Sequence, residues 1–312
     1  MQSYYGEQTC EEMVKSSKKN CNNSAYFYSN GKLLCGVHSK KDSNREKLPI
    51  NPDKKYNDEQ EMQNRKLEID EQAKQNREEG KKGNVKVSKL RMMKSPEYFK
   101  GYLNVFPNYK HENRKDGFGC KSLSPKSMGP VEHQMPNLPP AKNIENYHQF
   151  AKFWKFEMDK NGNILPQYLQ ARIDAYNSTT PFRHKHERQT LLKYNNNVNI
   201  PEFSMYYDKD GNEHRYNYLD CRYFYCHFYE ILAKEDSNYL KLKEMIKNGY
   251  NLNIVGYDGF NVEKSTLEYY YDTTRPFGHE LVLYTLLVED DSSKYPWNIY
   301  YEKNVEKYEN VI

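Results

Sequence analysis

The sequence of 312 residues predicts an α+β protein, or a small α/β one, made of three consecutive parts. The last hundred residues follow the order helix, helix, strand, loop, helix, which is typical of mixed folds. Residues 51–90 are dense in charge and glutamine, and residues 1–50 hold three of the six cysteines. We therefore expect a small module over residues 1–50, a charged helical or flexible linker over 51–90, and a mixed domain over 91–312.

The mixed domain is expected to begin with a strand, a proline-rich strap and a helix. Aromatic and β-branched residues predict the strand over residues 99–106. Apolar residues recur every three or four positions over residues 143–156, which predicts a helix. Between them, residues 124–142 contain five prolines, which lower the entropy cost of an ordered, extended strap. This strap covers either a core seam or the rim of a pocket near Asp258 and His279.

A helix and a hairpin follow. Leucine, isoleucine and tyrosine share one side of a predicted helix over residues 165–176. Residues 203–219 are expected to form a hairpin turned at Asp210, Gly211 and Asn212, because such turns require positive φ angles that these residue types tolerate.

The C-terminal segment has the clearest pattern. Helices are expected over residues 220–234 and 239–247, and Gly249 follows where a left-handed helix cap is required. Residues 250–260 then read as a strand running into a turn. Leucines and a tyrosine at helical spacing favour a last helix within residues 276–288.

Composition excludes several classes of protein. No run of about 18 apolar residues is present, and the first residues contain no apolar signal core, so we expect neither a membrane protein nor an exported one. Six cysteines in a chain of this length are too few for a disulfide scaffold, which favours a reducing compartment. Thirty tyrosines accompany abundant Asn and Lys, a mix expected from an AT-rich genome rather than from a base-stacking surface.

The charge distribution points to the N-terminal third. The net charge of +4 is too small to indicate a nucleic-acid-binding protein by itself. Lys and Arg outnumber Asp and Glu only within the first hundred residues. Any attraction to phosphate therefore belongs to that part of the chain.

A metal site is predicted in the N-terminal module. Cys35 and His38 are spaced as Cys-x2-His, so that both side chains can reach one ion from a tight turn, and Cys10 and Cys21 complete a Cys3His shell for a structural Zn²⁺. Zinc binding would replace the core that fifty polar residues lack. The alternative is a disordered arm with reduced cysteines. A partner, either nucleic acid or protein, would meet the surrounding lysines, which are Lys15, Lys18, Lys19, Lys40 and Lys41.

A second site is predicted where the C-terminal strand ends and the last helix begins. Ligands of α/β sheets bind outside the carboxyl ends of strands, and the amides at a helix start favour an anion. The predicted catalytic residues are Asp258, His279, Glu280 and Arg222. The predicted ligand-binding residues are Gly256, Tyr257, Arg275 and Gly278.

A purely structural interpretation of the same residues is also open. Arg222, Cys226 and Glu230 lie four residues apart on one face of a helix, so Arg222 can form an ion pair with Glu230. His279 then only caps its helix.

Residues 183–188, "RHKHER", present a weaker metal pattern. His184 and His186 point the same way on an extended segment, but Glu187, the nearest acidic residue, points to the opposite side. We therefore interpret this stretch as an exposed basic loop.

From about residue 86 onward the chain resembles an uncharacterised family from large DNA viruses of protists. The similar segments are "GYLNVFPNYKHENRKDGFGCKSLSPKSMGPVEHQMPNLPPAKNIENYHQ", "PFRHKH", "CRYFYCHFYE", "NLNIVGYDGF" and "PFGHELVLYTLL". The resemblance implies a viral protein located in the host cytoplasm, in a viral factory, or in the virion. More remotely, about forty residues, which comprise the strand that ends in a glycine turn and the following "GHELVLYTLL", look like the closing segment of small α/β domains that handle nucleotides or ADP-ribose.

Three functions are consistent with these observations. The first is a zinc-stabilised viral protein that binds nucleic acid or a viral protein. The second is an enzyme that acts on a nucleotide, a nucleoside or an ADP-ribose-like substrate in the C-terminal pocket. The third is a structural virion protein, which would present a flat aromatic surface in place of a pocket.

Overall fold

The computed structural model describes residues 3–14, 17–92, 94–195, 199–308 and 311, without the side chains of residues 52–57. Helices and mixed sheets confirm the α+β class. The chain divides into two compact units, Met1–Leu67 and Glu68–Ile312. None of the helices in the described part combines the length and the apolar content needed to cross a membrane.

The first unit consists of short strands around a very small core. Its strands are β1 (Met13–Val14), β2 (Lys19–Asn20), β3 (Phe27–Ser29), β4 (Lys32–Leu34) and β5 (Glu46–Lys47). β1 and β2 pair antiparallel, and the other three form an antiparallel sheet in the order β4-β3-β5. A 3-10 helix follows β4 at His38–Lys41. The buried apolar cluster of this unit is formed mostly by three cysteines with Leu34.

The predicted linker is helical, but its last residues belong to the C-terminal domain. Helix α1 (Pro52–Glu78) covers most of residues 51–90, and Val85–Lys89 forms strand β6 of a sheet. Within the second unit, the Asn76 side chain donates to the Gly249 carbonyl at 2.7 Å and to Asn251 Oδ1 at 3.2 Å. These bonds anchor the end of α1, so the second domain begins earlier than residue 91.

The second unit contains seven strands and eight further helices among its described residues. After β6 the strands are β7 (Tyr102–Phe106), β8 (Phe118–Gly119), β9 (Lys152–Phe153), β10 (Phe203–Tyr207), β11 (Glu213–Tyr216) and β12 (Asn251–Gly256). The helices are α2 (Ile144–Gln149), α3 (Pro166–Asn177), α4 (Arg188–Lys193), α5 (Tyr218–Glu235), α6 (Ser237–Lys247), α7 (Thr266–Tyr271), α8 (His279–Val288) and α9 (Pro296–Glu302).

A four-stranded parallel sheet is the centre of the second unit. Its strand order is β6-β12-β7-β8, and every residue of β12 is buried. Ile254 of β12 lies opposite Val87 of β6 and Val105 of β7. Burial at every position, including the polar Asn251 and Asn253, shows that this strand is covered on both faces. β9, β10 and β11 form a separate antiparallel sheet, with the predicted turn between β10 and β11.

The predicted helix over residues 143–156 is shorter than expected. Asn143 caps α2, which ends at Gln149, and Phe153 then pairs with Phe203 in the antiparallel sheet. The apolar spacing is real, but Trp154 and its neighbours are buried by this sheet instead of by a longer helix. Tertiary pairing thus overrides the local helical periodicity.

Helix α5 is the hub of the helical layer, and Asp220 anchors the C-terminus to it. α5 packs against α2, α6, α8 and α9. The buried Asp220 carboxylate accepts hydrogen bonds from Tyr300 at 2.7 Å, from Lys307 at 2.8 Å and from Tyr308. Burial raises the pKa of Asp220, but the hydrogen bonds from Lys307, Tyr308 and Tyr300 outweigh burial and hold this pKa below its ordinary value.

We predict that Asp220→Asn lowers the free energy of unfolding by about 1–3 kcal/mol at neutral pH, since it removes a charge shared by three side-chain donors and the Asn217 backbone N–H. Because the pKa of Asp220 is depressed in the folded state, its contribution is present above the unfolded pKa of about 3.9 and is lost as pH falls through the folded value. Urea unfolding between about pH 3 and pH 7 measures this difference.

The matched control is Asp174→Asn on the exposed side of α3, which we expect to change the free energy of unfolding by less than about 0.5 kcal/mol. An equal loss in both variants, or a loss in Asp220→Asn that persists unchanged at the acid end, would contradict the proposed anchoring.

Candidate functional site

The first unit brings its four predicted metal ligands together. His38 Nδ1 lies 3.3 Å from Cys10 Sγ and 3.5 Å from Cys35 Sγ, and Cys21 Sγ lies 4.0 Å from Cys35 Sγ. All four ligand atoms are within 4.8 Å of one another, and the three cysteines are buried. A tetrahedral shell with metal–ligand distances of about 2.0–2.3 Å has edges of roughly 3.3–3.8 Å. The Cys3His cluster is therefore close enough to bind a metal ion.

Local structure explains why these residues converge. Cys10 and Cys21 flank the β1–β2 hairpin, and Cys35 follows β4 immediately before the 3-10 helix that carries His38. Burial raises the pKa of the Cys35 thiol, but backbone N–H groups of His38 and Val37 outweigh this and lower its pKa to about 7. A thiolate is the form that ligates metals, so this turn favours coordination.

The predicted basic surroundings are present in the described residues of this unit. Lys18, Lys19, Lys40 and Lys41 are exposed, and Lys15 lies outside the described residues. Lys18 also adopts a positive φ of 50°, at the turn between β1 and β2.

In the second unit, a pocket of about 390 Å³ lies at the carboxyl ends of two parallel strands. β7 and β12 are neighbours and run in the same direction, so the residues that follow them meet at one edge of the sheet. Residues 108–111 follow β7, Tyr257 and Asp258 follow β12, and α8 begins at His279 in the pocket wall. α2 and α5 supply the opposite wall.

Most of the predicted site residues line this pocket. Those that do are Tyr257, Asp258, Gly278, His279, Glu280 and Arg222. Gly256 ends β12 and lies against Glu280, since a Cβ on Gly256 would be 1.8 Å from Glu280 Oε1. Arg275 does not line this pocket; its guanidinium pairs with Asp272 at 3.0 Å, and it borders two neighbouring cavities.

Glu280 is the most unusual group in the pocket. Its side chain is 1% exposed, and two glycines make room for it, because a Cβ on Gly278 would also lie 2.7 Å from Oε2. The Asp258 N–H donates to Oε1 at 3.3 Å, while Oε2 accepts no hydrogen bond from the described residues. A buried carboxylate oxygen without a donor is costly, so it is expected to meet a ligand or a proton.

His279 lies beside the unpaired oxygen of the Glu280 carboxylate. His279 Nε2 donates to the Pro107 carbonyl at 2.8 Å, which leaves Nδ1 of a neutral ring with a lone pair. Nδ1 lies 3.3 Å from Glu280 Oε2. An imidazole and a carboxylate, two group types used in general acid–base catalysis, therefore lie side by side at the pocket wall.

Arg222 has a different role from the predicted catalytic one. Its guanidinium donates to the carbonyl oxygens of Tyr270, Asp272 and Arg275, the last at 2.9 Å. The predicted ion pair with Glu230 is also absent among the described contacts, since Glu230 accepts from Lys234 and from Trp297 Nε1 at 2.6 Å. Arg222 therefore fixes the loop before α8, and its donors are already in use.

Several residues that line the pocket were not predicted from the sequence. The cationic ones are Lys110, Lys126, Lys152 and Arg183. Burial lowers the pKa of Lys152, which marks it as a partly desolvated cation. Lys110 follows a parallel strand just as Asp258 does, and this signal would have identified it. Lys152 and Arg183 follow no such rule, because tertiary packing alone places them there.

The proline-rich strap, residues 124–142, lies both at the rim of the pocket and against the core. Ser124, Pro125 and Lys126 line the pocket, whereas Val131 and Ala141 are fully buried in the main core. The strap closes on itself through a bridge between Val131 and Ala141. It is therefore an ordered part of the domain.

No protein-family model, curated protein or solved structure matches this chain.

We predict that Cys35→Ser lowers the metal content of the purified full-length chain by about one equivalent, because a hydroxyl is a much weaker ligand than a thiolate. Elemental analysis against protein concentration measures this change. Cys120→Ala is the matched control, since Cys120 is buried in the second unit away from other cysteines and histidines that could form a metal cluster. Equal metal content in Cys35→Ser and in the unchanged chain would contradict the metal site.

Proposed function

We propose that the C-terminal domain is an enzyme that acts on a nucleotide, a nucleoside or an ADP-ribose-like substrate in the pocket at the ends of β7 and β12. The observation that carries this proposal is the buried Glu280 carboxylate, whose Oε2 accepts no hydrogen bond from the described residues and lies 3.3 Å from His279 Nδ1. A substrate hydroxyl, such as those of ribose, can donate to this oxygen.

The charges of the pocket suit the rest of such a substrate. Lys110, Lys126, Lys152 and Arg183 are available for a phosphate or diphosphate group. The volume of about 390 Å³ lies in the range of small-molecule sites. Tyr257 is 45% exposed and can stack on a base. Asp258 and the Glu280–His279 pair then supply acid–base chemistry.

The pocket also favours the enzymatic hypothesis over that of a structural virion protein. A structural virion protein without chemistry was expected to present a flat aromatic surface. A buried carboxylate with an unpaired oxygen costs stability and is retained where it serves a ligand. We therefore place the enzymatic hypothesis first for the second unit.

The experiment is a binding titration of the full-length chain with ADP-ribose, AMP and adenosine, read by calorimetry. We expect Glu280→Gln to weaken binding by about tenfold or more, because a charged acceptor for a ribose hydroxyl is lost. Glu244→Gln, an exposed substitution on α6, is the matched control and should leave affinity unchanged.

Lys152→Met separates the phosphate part of the substrate from the nucleoside part. We expect it to weaken AMP and ADP-ribose by about tenfold, with little effect on adenosine, while Lys160→Met changes neither. If none of the three compounds binds, or if Glu280→Gln binds all of them as the unchanged chain does, the proposal fails.

For the first unit we propose that the metal is Zn²⁺ and that the module binds nucleic acid or an acidic viral protein. Three thiolates and one imidazole are the ligand set typical of structural zinc. The exposed lysines beside it favour a negatively charged partner.

Salt dependence tests the nucleic-acid form of this proposal. Changing Lys40 and Lys41 to Gln should lower the slope of log affinity against log salt for a DNA duplex by about two, since each phosphate contact contributes about 0.9. The control changes Lys209 and Lys303, two exposed lysines of the second unit, in the same way. An unchanged slope in the first variant would exclude contact through Lys40 and Lys41.

A further inference from the structure

Two histidines of the segment interpreted as an exposed loop are in fact mostly buried. The side chains of His184 and His186 are 11% and 14% exposed, and the carboxylate beside them is Glu157, which is fully buried. Glu157 lies 27 and 29 residues before them in the sequence, so local spacing gave no sign of it. The adjacent Glu187, which local spacing suggested, is not part of this cluster.

The three side chains place their ligand atoms around one point. Nε2 of each histidine lies 2.8 Å from Glu157 Oε1, and the three ligand atoms are all within 4.8 Å of one another. A first-row metal at about 2.0–2.1 Å from each ligand requires ligand–ligand distances of roughly 2.9–3.4 Å. Small outward shifts of the two rings therefore create a coordination site, with the ring proton moved from Nε2 to Nδ1.

The surrounding protein holds this arrangement in place. Glu157 Oε2 accepts from the Trp154 backbone N–H at 2.9 Å, which fixes the orientation of the carboxylate. The His184 ring stacks on Phe150 at 5.0 Å between centroids, and His186 packs edge-on against Phe156 at 4.7 Å. Rigid support of this kind is what a preformed metal site requires.

Unpaired polar atoms distinguish the cluster from an ordinary buried ion pair. Trp154 Nε1 is buried and donates to no acceptor in the described part of the chain, although the indole lies 4.9 Å from His184 and 4.8 Å from His186 between ring centroids. A metal ion with its water or ligand would provide an acceptor for this indole N–H, at a place where the protein supplies none. His184 Nδ1 is also without a partner there, but it points away from the ligating Nε2 and would not contact the ion.

One ligand of the cluster, His184, borders a cavity, whereas Glu157 and His186 lie behind its wall. His184 and Trp154 line a second pocket of about 790 Å³, which shares Gln149, Lys152, Arg183, Tyr218 and Pro276 with the strand-end pocket. Two histidines and one glutamate leave coordination positions free for water or substrate, as in catalytic rather than structural metal sites.

We propose that Glu157, His184 and His186 bind a divalent first-row transition metal, such as Zn²⁺ or Fe²⁺, at a site beside this second pocket, which His184 borders. This site is distinct from the Cys3His cluster in ligand type, because it contains no thiolate. It does not depend on the identity of the substrate proposed for the strand-end pocket.

The test compares metal content and Co²⁺ spectra of full-length variants. We expect the unchanged chain to bind about two equivalents of metal, and Glu157→Gln or His186→Asn to bind about one. In a Cys35→Ser background, added Co²⁺ should give ligand-field absorption without thiolate charge transfer. Adding His186→Asn to that background should abolish this absorption.

The controls address folding and specificity. Glu157→Gln keeps an oxygen that accepts from the Trp154 N–H, and circular dichroism reports whether each variant is folded. His214→Asn is the matched control, since His214 pairs with Asp208 at 3.1 Å and has no third ligand among the described residues. The proposal is overturned if folded Glu157→Gln keeps the full metal content, if the Cys35→Ser chain binds no Co²⁺, or if His214→Asn loses as much metal as His186→Asn.

Discussion

The parallel pairing of β12 with β7 is the constraint on which the C-terminal domain depends. Because β12 is buried at every residue, the sheet fixes its register through Ile254 opposite Val105. Both strands then end at one edge, and their following loops meet the start of α8 there. The pocket is a direct consequence of this register, since a shift of either strand would separate Asp258 from residues 108–111.

Three buried carboxylates differ in the donors that surround them, and this difference separates a structural role from a chemical one. Asp220 is saturated by Tyr300, Lys307 and Tyr308, so its charge serves stability. Glu280 Oε1 receives one backbone N–H, and Oε2 lies 3.3 Å from His279 Nδ1 without a hydrogen bond from the described residues, which leaves this oxygen for a ligand. Two imidazole nitrogens lie beside a single oxygen of Glu157. This places more ligand atoms around one point than stability alone requires. The number and kind of donors therefore separate an anchor from a site.

The first unit has almost no apolar core, so hydrophobic burial cannot account for its order. Its buried cluster consists mainly of the three cysteines that can bind a metal. Coordination energy then takes the place of hydrophobic burial. The short strands and the 3-10 helix act as supports that bring Cys10, Cys21, Cys35 and His38 to one point.

The sequence by itself determined the features that depend on local spacing. The α+β class, the α5 and α8 helices, the β10–β11 hairpin and the Cys3His set all follow from periodicities and turn residues within a few dozen positions. Their positions at a strand end and at a helix start also predicted that Asp258, His279 and Glu280 line one pocket. The tertiary structure alone decided the remaining partners. His279 donates to the carbonyl of Pro107, which lies 172 residues earlier in the sequence, and His184 contacts Glu157, which lies 27 residues earlier. Arg222 lines the pocket, but its guanidinium donates to the carbonyls before α8. Such pairings arise from packing of distant segments, and no local pattern encodes them.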